Sequence, residues 1–146
     1  MPLNQCGNRS RIVFVTVSVH QRRRILATED MHQTIVTSWQ SASYWLVGRY
    51  VILPDHLHFF CSPGLQGHTN VRDWIAYWKR LATIAIVDQI HLPGPIWQRG
   101  AWDRQLRAED SYAAKWVYVR NNPVRHGLVE KPEDWSFQGE LNRLEW

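Results

Sequence analysis

Only two cysteines, Cys6 and Cys61, occur in the 146 residues, and they form neither a disulfide framework nor a zinc-ligand spacing. That excludes a small cross-linked secreted scaffold and points to a reducing, cytoplasmic setting. No apolar run approaches the roughly eighteen residues that suggest a membrane-spanning helix, so no membrane partner is expected. The opening stretch MPLNQCGNRSRIVF carries no apolar core of the kind found in secretory signals. A glycine-rich loop able to cradle nucleotide phosphates is missing, so chemistry driven by ATP is not expected. Internal repeats, low-complexity segments and linkers are missing too. The length suits one domain, 1–146, with enough chain for a real core.

Lysine is also scarce. Of 17 cations three are Lys and 14 are Arg, and the net charge is +4. Arginine grips phosphate through a planar fork and stacks on bases, so the bias fits a nucleic-acid partner better than a simple need for solubility. Tryptophan is abundant, with nine residues. An exposed indole is able to stack on an unpaired base, but most of these side chains are expected in the core.

Hydrophobic periodicity predicts a strand over 11–20 (RIVFVTVSVH), followed by the basic connection Arg22-Arg23-Arg24. A helix is predicted over 29–43, with Thr28 as its N-cap and Met31, Ile35, Trp39 and Ala42 on one face. Strands follow at 44–52 and 56–62, joined by the turn Leu53-Pro54-Asp55. After a loop marked by Pro63, Gly64 and Gly67, a long helix is predicted from Asn70 to Ile90 with Trp74 and Trp78 on its buried stripe. Ile96–Arg99 and Gln105–Arg107 read as short strand pieces separated at Gly100. A last helix is predicted from Glu109 to Asn121, ended by Pro123, and the tail from about 124 reads as irregular. This order predicts an α+β fold: a ferredoxin-like (RRM-like) antiparallel sheet with helices on one face and the other face open or in a dimer contact.

The most informative residues are His56-Leu57-His58. Side chains alternate along a strand, so both imidazoles are expected on one face, roughly 6–7 Å apart along the strand and within reach of one divalent metal. The pair alone is equally compatible with two strand histidines satisfied by backbone and water. On the last helix, Ala113, Trp116, Val117 and Arg120 form a stripe of which the first three are expected to be buried. Tyr118 then lies beside Ala114, Lys115 and Asn121 and presents its hydroxyl outward, as a merely amphipathic surface tyrosine also does. Tyr112 is a competing phenol turned well away from Tyr118. Asn122 is one turn beyond Tyr118, but it precedes Pro123 and is expected to leave helical geometry. Two histidines, a polar oxygen and a phenol around one metal suit cleavage of a phosphodiester.

These segments carry a family pattern. LPDHLHFFCSP (53–63) resembles the hydrophobic-P-[ND]-H-hydrophobic-H run of the single-tyrosine HUH transposases. VYVRNNPVRHGLVEKPEDW (117–135) resembles their Y-[IV]-x-x-N-P-x-[RK]-x-G-L-V block, and IWQRGAWDRQLR (96–107) resembles the W-Q-x-x-x-x-D-x-x-[IL]-R segment between them. The three blocks occur in order across almost the whole chain, and the likeness is greatest to the REP-associated tyrosine transposases. Leu53 and Asp55 stand where Met and Asn are usual, and His126 where a small residue is usual.

The resemblance implies a bacterial, nucleoid-associated transposase. Its activity would be that of a metal-dependent endonuclease and strand transferase on single-stranded DNA beside hairpins. It implies Tyr118 as nucleophile, His56 and His58 as metal ligands and Asn122 as the third, with Mg²⁺ or Mn²⁺ as cofactor. A free tyrosine has a pKa near 10, so about one phenol in a thousand is ionised at neutral pH and the attack needs help from the phosphate's surroundings. Attack leaves a 5′-phosphotyrosyl link and a 3′-hydroxyl, and the conserved bond energy lets a second 3′-hydroxyl reverse the step. Arg22, Arg23, Arg24, Arg99, Arg104, Arg107, Arg120 and Arg125 are candidate DNA contacts, with Arg120 and Arg125 flanking the site. A homodimer fits a tyrosine helix that works against a partner's metal site. The rival classes are a non-catalytic hairpin-binding module on the same fold, a metallohydrolase of small substrates, and an initiator nuclease of rolling-circle replication.

Overall fold

The computed structural model describes residues 11–64, 69–107 and 110–145, so Cys6, Gly67 and Glu109 lie outside the described residues. The elements run β1 (Val13–Ser18), α1 (Glu29–Ser41), β2 (Trp45–Ile52), β3 (His56–Pro63), α2 (Val71–Ile90), β4 (Trp102–Gln105), α3 (Tyr112–Arg120), α4 (Asn122–Arg125) and β5 (Gln138–Glu140). The sheet order is β4-β1-β3-β2-β5, and every neighbouring pair is antiparallel. The first four strands with α1 and α2 make the β-α-β-β-α-β arrangement of a ferredoxin-like fold. The expected α+β class therefore holds.

Alternation in β1 sends Val13, Val15 and Val17 to one face, where α1 and α2 cover them. Helix α1 starts at Thr28, whose hydroxyl accepts a hydrogen bond from the Met31 N–H at 3.1 Å. Helix α2 starts at Asn70, whose side chain accepts from the Asp73 N–H at 2.8 Å, and ends at His91 in the left-handed region. Trp39, Trp74 and Trp78 ring Phe59 with centres 5.0, 5.8 and 5.9 Å from it. Each indole buries about 150–250 Å², which at about 25 cal/mol/Å² is roughly 4–6 kcal/mol before entropic costs. That magnitude explains why Trp74 and Trp78 are core side chains. Among the described residues no helix is long and apolar enough to cross a membrane.

The opposite face, expected to be open or in a dimer contact, is covered in part by the chain's own α3. A second, smaller core of Ile12, Val51, Phe60, Leu106, Trp116 and Val119 seats α3 on it. Docking is close: the Tyr112 hydroxyl accepts from the Arg49 N–H at 3.0 Å, and a Cβ on Gly48 would stand 2.6 Å from that hydroxyl. A side chain at this position would force Tyr112 or Leu144 to move.

Several readings of the sequence are corrected by the structure. The fourth strand is Trp102–Gln105, between the two predicted pieces. Its WDRQ sequence lacks apolar alternation because it is an edge strand, held by its ladder to β1. Ile96–Arg99 contributes only a bridge from Trp97 to Val19. Helix α3 buries Trp116 and Val119 while Ala113 and Val117 are exposed, because Tyr112 and Trp116 set the docking face. Pro123 does not end helical geometry: it sits in the first turn of α4, where its missing N–H costs nothing, and Asn122 is the first residue of that turn. The tail beyond 124 is ordered by a 3₁₀ turn at Pro132–Asp134 and by β5, which pairs with β2.

Candidate active site

The turn before β3 is tied down by backbone. Leu26 N–H donates to the Pro54 carbonyl, Val19 N–H to Asp55, and Leu53 N–H to His56, all within 2.8–2.9 Å. With Leu57 fully buried among the valines, His56 and His58 must face the other way, towards α3 and α4. Their ring centres are 4.9 Å apart and nearly perpendicular, closer than strand spacing alone predicts. Register places Thr16 opposite His58 on one side and opposite Trp102 on the other, so Trp102, Thr16 and His58 form a row across the sheet.

Each imidazole is oriented through Nδ1. His56 Nδ1 is 2.7 Å from the Asp55 carboxylate, which only accepts, so Nδ1 carries the proton and Nε2 the lone pair. Arg22 pairs with the same carboxylate at 3.0 Å, and its Nη2 at 3.3 Å from His56 Nδ1 is then a charge contact. Gln21 and Arg22 adopt left-handed backbone, φ 57° and 53°, a cost of about 1–2 kcal/mol each for non-glycine residues. His58 Nδ1 meets the Thr16 hydroxyl at 2.8 Å. Neither Nε2 has a hydrogen-bond partner among the described residues. Burial lowers the pKa of His56 against the opposing pull of Asp55, and burial aided by His56 and His126 holds His58 at about 3. Burial acts to raise the Asp55 carboxyl, but the hydrogen bonds from His56 and Arg22 more than offset it and leave it below its ordinary value. At neutral pH both rings are neutral, the form that binds a metal.

Helix α3 presents Tyr118 at 67% exposure, with the Arg125 guanidinium 4.2 Å from its ring centre, a cation–π contact. Asn122 donates its Nδ2 to the Val119 carbonyl at 2.9 Å, which leaves Oδ1 at the other end of the amide. A cavity of about 310 Å³ is lined by His58, Tyr118, Asn122 and Arg125, together with the basic side chains of Arg104 and Lys115 and the aromatic rings of Phe14 and Trp102. His56 does not line the cavity.

The other arginines are dispersed. Arg120 turns to Glu133 at 3.6 Å, and Arg23 donates to the carbonyls of His20, Pro93 and Pro95. Arg99 lines a separate groove with Lys79 and Arg80. Arg24 is exposed on the connection after β1, and Arg107 is exposed just past β4. Sequence reasoning missed Trp102, Thr16 and Lys115 as site residues. Trp102 left a signal as an indole inside an otherwise polar four-residue strand, and Lys115 left one in its place three residues before Tyr118 on the same helix.

Among the described residues no three His, Cys, Asp or Glu side chains already converge as a finished metal cage. The donor set nevertheless fits a divalent cation. It offers two neutral imidazoles with Nδ1 engaged and Nε2 free, one backed by a carboxylate, and an amide oxygen beside the same cavity.

No family model matches the chain. A curated relative named as a REP-associated tyrosine transposase, from Haemophilus influenzae, is 26% identical over 138 residues, spanning 86% of this chain and 77% of its own. The REP-associated tyrosine transposase of Escherichia coli K12 is 27% identical over 128 residues, spanning 85% and 73%. Among solved structures, a REP-associated tyrosine transposase bound to a REP hairpin superposes with a TM-score of 0.70 at 25% identity, covering 88% of this chain and 76% of that one. A structure described as a transposase of Deinococcus radiodurans matches in fold, with a TM-score of 0.55 at 15% identity over 75% of this chain and 88% of its own. The resemblance to REP-associated tyrosine transposases read from the sequence is thereby borne out.

Proposed function

We infer that the chain is itself an HUH-type tyrosine transposase of the REP-associated kind, cutting and rejoining single-stranded DNA beside a hairpin. The observation that carries this reading is that Tyr118, exposed on α3, lines the same cavity as His58 and Asn122. That one copy of the chain supplies all three side chains supports a site formed within a single protomer.

His56, His58 and Asn122 would hold a Mg²⁺ or Mn²⁺, which when bound polarises the non-bridging oxygens of a phosphate. The chain's own groups do the rest. Arg104, Lys115 and Arg125, which line the cavity, neutralise and align the phosphate. Tyr118 Oη attacks phosphorus and its proton leaves to solvent. The P–O3′ bond breaks, and the departing oxygen takes a proton to become a 3′-hydroxyl. The DNA stays on the enzyme as a 5′-phosphotyrosine, ready for attack by another 3′-hydroxyl. Phe14 and Trp102, ring centres 5.8 Å apart, offer a surface for a flanking unpaired base.

The test is covalent capture: hairpin-bearing oligonucleotides are incubated with Mg²⁺ or Mn²⁺ and the products resolved by mass. A protein–DNA adduct that forms only with metal is expected. Hairpin binding with neither adduct nor nicking would leave a binding module on the same fold. Stacking has its own test. Trp102→Ala is expected to weaken single-strand binding by about 1–3 kcal/mol without lowering stability, since the indole is 54% exposed. Unchanged affinity in a fluorescence titration would remove Trp102 from the DNA path.

A further inference from the structure

Three cations, Lys79, Arg80 and Arg99, line a groove of their own, apart from the catalytic cavity. On α2 the i, i+4 spacing puts Ala76, Arg80 and Ile84 in one row and Lys79 and Thr83 in the next. These side chains, with His20 and residues 95–99, enclose about 770 Å³. The 95–99 segment is fixed by backbone. Trp97 bridges to Val19, the His20 N–H donates to the Ile96 carbonyl at 2.9 Å, and the Gln98 N–H donates to the Ser18 carbonyl at 2.9 Å. Lys79 Nζ donates to the carbonyls of Gln98 and Gly100 at 3.1 and 2.8 Å, which ties the segment to α2 and leaves one of its three donors. The groove is therefore preformed. No Asp or Glu lines it, and neither exposed guanidinium, of Arg80 or of Arg99, pairs with an acid among the described residues.

We propose that this groove carries the phosphate backbone of the DNA strand running on from the catalytic cavity, a refinement that rests on the DNA-cutting reading above. Continuity is one support. Trp102 lines the cavity and Arg99 the groove, and three residues of chain span at most about 11 Å. Ser18, whose carbonyl holds Gln98, is the ladder partner of His56. Charge sets the occupant. Two exposed guanidinium groups with no acidic neighbour suit phosphate, which each can grip with a fork of donors. Ala76 and Ile84, one turn to either side of Arg80, add apolar surface for sugars and bases, and Ile84 is 72% exposed. Contacts of this kind go to the backbone, so they add affinity and register rather than sequence preference.

The experiment uses the hairpin oligonucleotides of the capture assay, blunt or with an oligothymidylate tail on the 5′ or the 3′ side. A tail of about eight nucleotides is within the range that single-strand grooves cover. Affinity is measured by fluorescence anisotropy over a salt series, for the full chain and for a variant combining Arg80→Gln with Arg99→Gln. A tail on one side is expected to tighten binding by the parent roughly tenfold, and the variant to lose most of that gain. Its salt slope on the tailed oligonucleotide should be shallower by about 1.4, the share of two single-strand phosphate contacts. Circular dichroism checks that the two exposed substitutions leave the fold intact. Equal gains from the tail in both proteins, or no gain in the parent on either side, would overturn the groove assignment. Covalent capture by the parent would then keep the broader reading standing. A parent that binds no hairpin, tailed or blunt, would overturn both.

Discussion

Tyr118→Phe is expected to abolish covalent capture of a hairpin oligonucleotide, a loss of roughly 10⁴-fold or more, while hairpin affinity changes by less than about threefold. The substitution removes one oxygen from a side chain that is 67% exposed, so little packing is lost. The ring stays beneath the Arg125 guanidinium, so the local arrangement that contacts phosphate is retained. Tyr112 supplies the control. Burial pushes its pKa up to about 12, and its hydroxyl is occupied by the Arg49 N–H in the docking of α3. Tyr112→Phe should therefore cost about 1 kcal/mol of stability and leave capture in place. Equal capture by the Tyr118 variant, or its loss only in the Tyr112 variant, would move the nucleophile to another residue.

Elements with strong periodicity were legible from the chain alone. The valine alternation of β1, the Thr28 cap and the apolar stripe of α2 each have a local cause, and each formed as expected. The failures share another cause. Strands β4 and β5 are short polar edges whose existence depends on ladder partners in β1 and β2, and WDRQ or QGE carries no pattern that names those partners. The burial of α3 was misjudged for a similar reason. Val117 looks like core, but the helix is rotated by Tyr112 meeting Gly48 and Arg49 on a distant strand. At the site, alternation alone placed His56 and His58 on one face. It gave no hint that Thr16 and Asp55 would fix their ring nitrogens, because one of those contacts crosses from β1 and the other depends on the turn. Scattering of the arginines was equally illegible. Arg22 and Arg23 are adjacent, yet one pairs with the Asp55 carboxylate that orients His56 and the other with backbone carbonyls of nearby loops.

That supporting layer supplies the second large effect, a graded series on one ring pair. His58→Ala removes a direct donor and is expected to reduce Mn²⁺ binding below detection and to cut capture by roughly 10³-fold or more. Asp55→Asn is subtler. An amide oxygen still accepts from His56 Nδ1, so the tautomer survives, but the charge that strengthens the ligand is gone. The expectation is a 10–100-fold loss of metal affinity. Stability should change by no more than about 1 kcal/mol, because the ion pair to the half-exposed Arg22 is screened by solvent. The two variants should respond differently to excess cation. Raising Mn²⁺ restores capture in Asp55→Asn, whose ligands are intact, and fails to do so in His58→Ala. If Asp55→Asn proves as severe as His58→Ala and resists added Mn²⁺, the Asp55 carboxylate is itself a metal ligand rather than the group that orients His56. If neither variant alters metal affinity, the cation is not held by this pair, and the exposed phenol beside it loses its reason for reactivity.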